Sequence, residues 1–215
     1  MFQILLFGSG GYSNVVVDIL KRKKIKLIGY LDIKKNYKSK LKYLGNISEN
    51  IKLIKSKKIK GFIAVGNNYK RQTIYNEVKK INKNFLWETI IDPSCIISKK
   101  TKIGSGSIVI AGSIINSNVK IGKQCIINTN NSIDHDNFID DFSSTGPSVT
   151  TGGTVKIGTL SHIGISSTIK NNIEIGSNTI IGSCSFVNKK CLSNNLYLGI
   201  PAKRKKKWKL GMNYL

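Results

Sequence analysis

The chain holds two histidines, and the first lies between two carboxylates in Ile133-Asp134-His135-Asp136. A neutral imidazole flanked by carboxylates makes a good general base, because a carboxylate orients the ring and stabilises its cation. A solvated histidine at a turn would leave the same letters. Further on, Gly152-Gly153 leaves main-chain N–H groups without side-chain cover. An uncovered N–H suits the oxyanion that forms when a thioester carbonyl is attacked; a local packing kink is the alternative. A second motif, Gly8-Ser9-Gly10-Gly11-Tyr12-Ser13, follows an apolar run and opens a helix-patterned one. Main-chain N–H groups at such a turn cradle a phosphate, aided by the helix dipole. Asp32 ends the next apolar run, where a carboxylate can meet a nucleoside. A tight turn with no ligand reads the same way, and the segment is too short for a full dinucleotide fold. A mononucleotide fits better than NAD.

These residues need a frame, and the sequence has a regular one. Aliphatic residues recur at every sixth position from Ile97 to Val187, interrupted only by Thr145 and Thr151. Four residues after most anchors comes a small residue, among them Ser107, Ser113, Cys125, Ser143 and Ser161. A period of six fits neither an α-helix nor a flat strand. It fits a parallel β-helix of three short strands per coil, here about five coils. Residues one coil apart then stack at ~4.8 Å. Gly153 stacks on His135, and His162, otherwise read as a surface residue, stacks on Ser144. The two threonine anchors predict that the repeat loosens around this zone.

Before the repeat, residues 2–7 read as a buried strand, Ser13 to Lys21 as a helix with Val16, Val17 and Leu20 inward, and Leu27 to Leu31 as a second strand. Gly61 to Val65 reads as a third strand and Asn68 to Lys80 as a helix with Ile74 and Val78 inward. Strand–helix alternation implies a small parallel sheet, a truncated Rossmann-like α/β unit. The expected organisation is an α/β domain over 1–88, a β-helix over 89–190, and a C-terminal loop and basic tail over 191–215. A linker is expected around Leu86 to Ser94, where Asp92-Pro93 signals a stop.

The 215 residues carry a formal charge of +24. General lysine bias accounts for much of this, with some attraction of phosphorylated ligands. No nucleic-acid motif accompanies the charge, so no nucleic-acid partner is expected. No membrane span is expected, for want of a long apolar run, and the start is read as a strand rather than a signal peptide. Cys95, Cys125, Cys184 and Cys191 make no C-x-x-C pair. They imply a reducing, cytoplasmic setting and no metal site.

In order along the chain, Phe7-Gly8-Ser9-Gly10-Gly11, Tyr30-Leu31-Asp32, Ile63-Ala64-Val65-Gly66-Asn67-Asn68 with Arg71, Ile91-Asp92-Pro93-Ser94, Ile133-Asp134-His135-Asp136, Gly153-Thr154-Val155-Lys156-Ile157-Gly158 and Gly199-Ile200-Pro201-Ala202-Lys203 resemble the bacterial sugar acetyltransferases of the sialic-acid O-acetyltransferase type. These include N-acetyltransferases of UDP- or dTDP-4-amino sugars. The resemblance implies a left-handed β-helix, a homotrimer, and acetyl-CoA held as co-substrate between adjacent β-helices. It implies His135 as general base with Asp136, or secondarily Asp134, orienting it, and the Gly153 N–H facing the acetyl carbonyl. Ile165, Gly182, Lys203 and Arg204 match positions along the CoA groove. Gly8, Ser9, Gly10, Gly11, Asp32, Asn67 and Asn68 match the nucleotide-sugar pocket.

Two positions depart from the pattern. Ser144 stands where the family carries a second histidine that helps to bind the acetyl donor, and His162 is expected to take over part of that role. Tyr12 stands where many relatives carry a histidine beside the sugar. The expected activity is N-acetylation of a nucleotide-linked 4-amino sugar, with O-acetylation of a sialic acid or related sugar as runner-up. A zinc enzyme on the same frame would need three histidines. A non-catalytic scaffold would show regular outer rows and no use for the glycine turn.

Overall fold

The computed structural model describes residues 2–214. Met1 and Leu215, the outer ends of the expected segments, lie outside the described residues. The N-terminal unit is a four-stranded parallel sheet in the order β2-β1-β3-β4, with β1 Gln3–Phe7, β2 Leu27–Leu31, β3 Ile59–Ile63 and β4 Leu86–Trp87. Three helices connect these strands: α1 Gly11–Arg22, the single turn α2 Ile51–Ile54, and α3 Asn68–Ile81. Ile4 to Phe7 are all buried, as expected of a strand covered on both faces.

The rest is a left-handed parallel β-helix. Its two-residue strands pair in parallel at a constant offset of eighteen residues: Ser132 with Thr150, Ile133 with Thr151, Lys120 with Phe138. The aliphatic anchors fill the coil interior. The hydroxyls of the small corner residues bond from one coil to the next, as Ser107 Oγ to the Gly122 carbonyl and Ser161 Oγ to the Gly176 carbonyl, each at 2.7 Å. Every sixth residue turns the corner in the left-handed region, including Asn118, Asn130, Asp136 and Asn172. Asparagine and aspartate tolerate that conformation better than most side chains.

Three expectations need correction. The threonine anchors do not loosen the repeat: both are buried, Thr145 Oγ1 accepts the Asn128 N–H and Thr151 Oγ1 accepts the Asp134 N–H, each at 3.2 Å. The linker is not an open segment, because Leu86–Trp87 extends the N-terminal sheet and Ile90–Ile91 already pairs with Ile108–Val109. Asp92-Pro93 turns a corner of the solenoid instead of ending a strand run. The segment from Leu196 is not simply loop and tail. Asn195–Leu198 pairs with Ile180–Ile181 and then, antiparallel, with Lys203–Lys207. All five residues of that last strand are exposed cations, which discourage pairing of a sheet edge with other chains.

One solenoid sheet carries the N-terminal unit. Its outward residues Ile90, Ile108 and Ile126 share a core with Val16, Val17, Leu20 and Phe62. Two ties reinforce this docking: an Arg22–Asp92 ion pair and buried Arg71. The other two sheets stay open. One presents the uncharged column Ile96, Ile114, Ser132, Thr150, Thr168 and Phe186; the other presents Lys102, Lys120, Phe138, Lys156 and Glu174. Among the described residues no helix is long and apolar enough to cross a membrane.

Candidate active site

His135 occupies the corner between the two open sheets, and its turn is held on every side. The preceding anchor Ile133 is fully buried. Thr151 Oγ1 accepts the Asp134 N–H, and Asp134 Oδ1 accepts the His135 N–H at 2.8 Å and an Asn116 side-chain N–H at 2.9 Å. The Asn137 amide bonds the carbonyls of Asp134 and Gly152, and the His135 carbonyl accepts the Thr154 N–H from the coil above. The ring is held by Asp136, whose Oδ2 lies 2.8 Å from Nδ1. Asp134, the secondary candidate, engages the main chain and makes no hydrogen bond to the ring. The Asp136 hydrogen bond, and then the charge of Asp134, raise the His135 pKa above its ordinary value. The same bond lowers that of Asp136.

The other edge of the ring meets Gly153. A Cβ built there would lie 2.6 Å from both Cε1 and Nε2 of His135, so only glycine admits the imidazole. Of the two amides expected to be free, Gly152 donates to the Ile169 carbonyl at 2.8 Å. The buried Gly153 N–H has no hydrogen-bond partner among the described residues. Both histidine and glycine line an open groove of about 710 Å³ with Thr150, Thr168 and Asn171. A neutral imidazole held at Nδ1 by a carboxylate takes a proton at Nε2. An unpaired amide next to it can stabilise a developing oxyanion.

The second histidine has a different setting. His162 is buried on the docked sheet, not at the surface as expected. Its Nδ1 lies 2.8 Å from Ser144 Oγ, and its ring stacks on Tyr214 with centroids 4.6 Å apart. The Tyr214 hydroxyl in turn accepts the Asn68 N–H at 2.8 Å. Burial, and then the charge of Arg71, push the His162 pKa down to about 4. The stacking of His162 on Ser144 is as expected. Both residues are covered by the chain itself, and neither lines the His135 groove.

At the N-terminal turn, Gly8 adopts φ +99° and a Cβ there would lie 2.7 Å from Val65. Asp32 Oδ2 accepts both the N–H and the hydroxyl of Ser9, at 3.1 and 2.8 Å. Asp32 thus shapes the turn itself. Gly10 and Gly11 open helix α1 beside empty space. The Tyr12 hydroxyl is buried without a partner among the described residues, and burial raises its pKa. Asn67 caps α3, accepting the Lys70 N–H at 3.0 Å. The Asn68 side chain is engaged within the chain: its amide nitrogen donates to the Leu160 and Ser161 carbonyls and its oxygen accepts from Arg71. That side chain ties α3 to the solenoid.

Arg71 is the residue whose role motif reading missed. Only 1% exposed, it donates to the carbonyls of Gln124, Val65, Gly66 and Phe142 and to Asn68 Oδ1. It lies three and seven residues before Ile74 and Val78, on the inward face of α3, a helical spacing that could have flagged it. Ile165 is half exposed at a corner between the docked and uncharged sheets. Gly182 makes room for Leu198, whose Cδ2 would be 1.7 Å from an added Cβ. Lys203 and Arg204 are exposed. None of these four lines the His135 groove. Among the described residues no cluster of three His, Cys, Asp or Glu could hold a metal ion.

Residues 3–78 match the model of the PglD N-terminal domain family. No curated protein sequence matches the chain. Among solved structures, a variant of perosamine N-acetyltransferase from Caulobacter crescentus, in complex with CoA and GDP-perosamine, is 25% identical, with TM-score 0.90 over 96% of this chain and 98% of that one. The acetyltransferase domain of PglB from Neisseria gonorrhoeae, in complex with acetyl coenzyme A, is 22% identical, with TM-score 0.85 over 94% and 98%. WeeI from Acinetobacter baumannii is 21% identical, with TM-score 0.82 over 95% and 100%. The last two likenesses are of fold.

Proposed function

We infer that this chain, an acetyltransferase resembling the bacterial nucleotide-sugar acetyltransferases of hexapeptide-repeat type, moves the acetyl group of acetyl-CoA to the 4-amino group of a UDP- or dTDP-linked sugar. The pairing of His135 with Gly153 carries this reading: a base held at Nδ1 by Asp136 lies against an unpaired amide. The acceptor nitrogen attacks the thioester carbon while His135 Nε2 takes the proton that nitrogen sheds. The Gly153 N–H donates to the oxygen as it gains negative charge. The carbon–sulfur bond then breaks, and His135 returns its proton to the departing thiolate. Amide and free thiol are the products, and the base is restored. An amine acceptor is preferred because the 25%-identical relative is an N-acetyltransferase crystallised with GDP-perosamine.

A homotrimer completes the reading. The uncharged column Ile96, Ile114, Ser132, Thr150, Thr168 and Phe186 suits burial against a threefold axis, and Ile96 and Ile114 are 67% and 42% exposed in the single chain. A closed ring of heterologous contacts would bring the His135 corner of one subunit to the Ile165 and Gly182 corner of the next. Acetyl-CoA would lie between them, with Lys203 and Arg204 towards its phosphates. Gly10, Gly11 and Asn67 would serve the nucleotide sugar, Asp32 acting through the shape of the turn.

The test is His135→Ala in the full chain with acetyl-CoA and nucleotide-linked amino sugars. Loss of a general base predicts a kcat lower by about 10²–10⁴-fold, with the thermal shift given by CoA retained. A kcat within threefold of the parent would remove His135 as the base.

A further inference from the structure

We propose that Asn137 is a positioning residue that aims the Gly153 amide at the acetyl oxygen; this rests on the donor role given to that amide above. The Asn137 side chain is buried. Its amide nitrogen donates to three carbonyls: Asp134 at 2.7 Å, His135 at 3.3 Å and Gly152 at 2.9 Å. One side chain thus grips both the turn that carries the base and the coil above it. The Gly152 carbonyl and the Gly153 N–H belong to a single peptide group. That peptide is trans, so the two point in opposite directions. Drawing the carbonyl onto a buried side chain turns the N–H away from the interior, at a position that lines the groove with His135.

The neighbouring peptides are held by the ladder between coils. The Gly152 N–H donates to the Ile169 carbonyl, the Asn172 N–H to the Gly153 carbonyl, and the Thr154 N–H to the His135 carbonyl. The peptide between Gly152 and Gly153 has Asn137 as its one partner among the described residues. Glycine on both sides leaves that plane free to pivot, so the side chain fixes what the backbone does not. A hydrogen bond at the carbonyl also polarises the peptide and strengthens its N–H as a donor. The chain carries a matched comparison one hexad earlier. Asn131 donates to the Asn128, Thr129 and Gly146 carbonyls at 2.9, 3.2 and 2.9 Å. There the third carbonyl belongs to the Gly146–Pro147 peptide, which has no N–H. The same grip can steady the coil at Asn131, but it has no donor to aim.

The solenoid supplies the substitutions for a test. Buried Val119, Val149 and Val155 occupy the same hexad position, so valine fits the coil without an amide. Ser143 and Ser161, also at that position, each donate to the carbonyl fifteen residues on; Asn137→Ser should therefore keep the Gly152 bond alone. Kinetics of the full chain use acetyl-CoA and whichever of a panel of UDP-, dTDP- and GDP-linked 4-amino sugars the parent acetylates fastest. Asn137→Val should lower kcat about tenfold, short of the roughly 10²–10³-fold loss of an oxyanion donor removed outright. The KM for acetyl-CoA should move by less than about twofold. The acid limb of kcat/KM should stay in place, since Asp136 still holds Nδ1. Asn137→Ser should return kcat to within about threefold of the parent. Asn131→Val should melt within about 3 °C of Asn137→Val yet keep the parent's kcat. Equal losses of kcat in the two valine variants would make Asn137 a structural clamp only. A serine variant as slow as the valine one, or a displaced acid limb, would assign Asn137 to the His135 turn and not to the donor peptide. An active parent matched by Asn137→Val sinks the positioning role alone, whereas no turnover by the parent sinks the activity itself.

Discussion

The two histidines stand one and a half coils apart on the same repeat, yet they meet opposite surroundings. His135 belongs to a corner, where the chain leaves one strand and its side chain projects over the next coil; 56% of its side chain is exposed. His162 belongs to a strand and points outward onto the sheet that carries the N-terminal unit, so it is buried. A carboxylate holds the first and raises its pKa, whereas burial near a guanidinium lowers the second to about 4. An imidazole that must exchange protons with a ligand needs an open face and a carboxylate behind it. An imidazole that closes an internal interface must stay neutral. Position within the hexad, and not residue type, separates the two.

The largest effect that would sharpen this contrast is at Arg71, the guanidinium of the buried region. Arg71→Met removes five donors and leaves four carbonyls and one amide oxygen without them. Loss of a buried, fully bonded cation of this kind costs about 3–5 kcal/mol, read as a lower urea midpoint. A loss under about 1 kcal/mol would show that apolar packing alone holds the docked sheet.

Next comes His162. Its imidazole takes a proton near pH 6.5 in the unfolded chain and near 4 in the folded one. Between those values the unfolded state binds more protons, so stability falls as pH is lowered from about 6.5 to about 4. The full change is about 3 kcal/mol. Calorimetric melting across that window should show a steeper acid loss for the parent than for His162→Gln. Coincident slopes would mean that the pocket admits the charged ring.

The smallest of the three is at the exposed corner. Asp136→Asn removes the hydrogen bond that raises the His135 pKa. Because the proposed base works deprotonated, kcat/KM should rise with pH through that pKa. The acid limb of the variant should therefore lie at lower pH than the parent's. Its plateau should also be about tenfold lower, the oriented tautomer being lost. An unmoved limb would uncouple Asp136 from the base.

Much of the solenoid was legible because each hexad repeats one packing problem: an apolar anchor inward, a left-handed residue at the turn, and a small hydroxyl or amide directly after it. The register from Ile97 to Val187 gave the neighbours of His135 directly, Gly153 included. The same regularity hid the threonine anchors. Thr151 reads as a weak point, yet its hydroxyl accepts the Asp134 N–H and so secures the His135 turn. The bonds that tie the Asn68 side chain to the solenoid were not legible, because motif order carries no information about which polar atoms the fold already uses.

Local chemistry along the chain determined the coil length, the stacking of Gly153 on His135, the glycine turn and the strand–helix alternation before it, because each depends on residues close in sequence or one fixed period apart. Which sheet the N-terminal unit covers was decided only by the tertiary structure, and with it the burial of His162, the enclosure of Arg71 and the exposure of the lysine column. Those outcomes depend on the fit between two surfaces far apart in sequence, and neither surface has a period that names its partner.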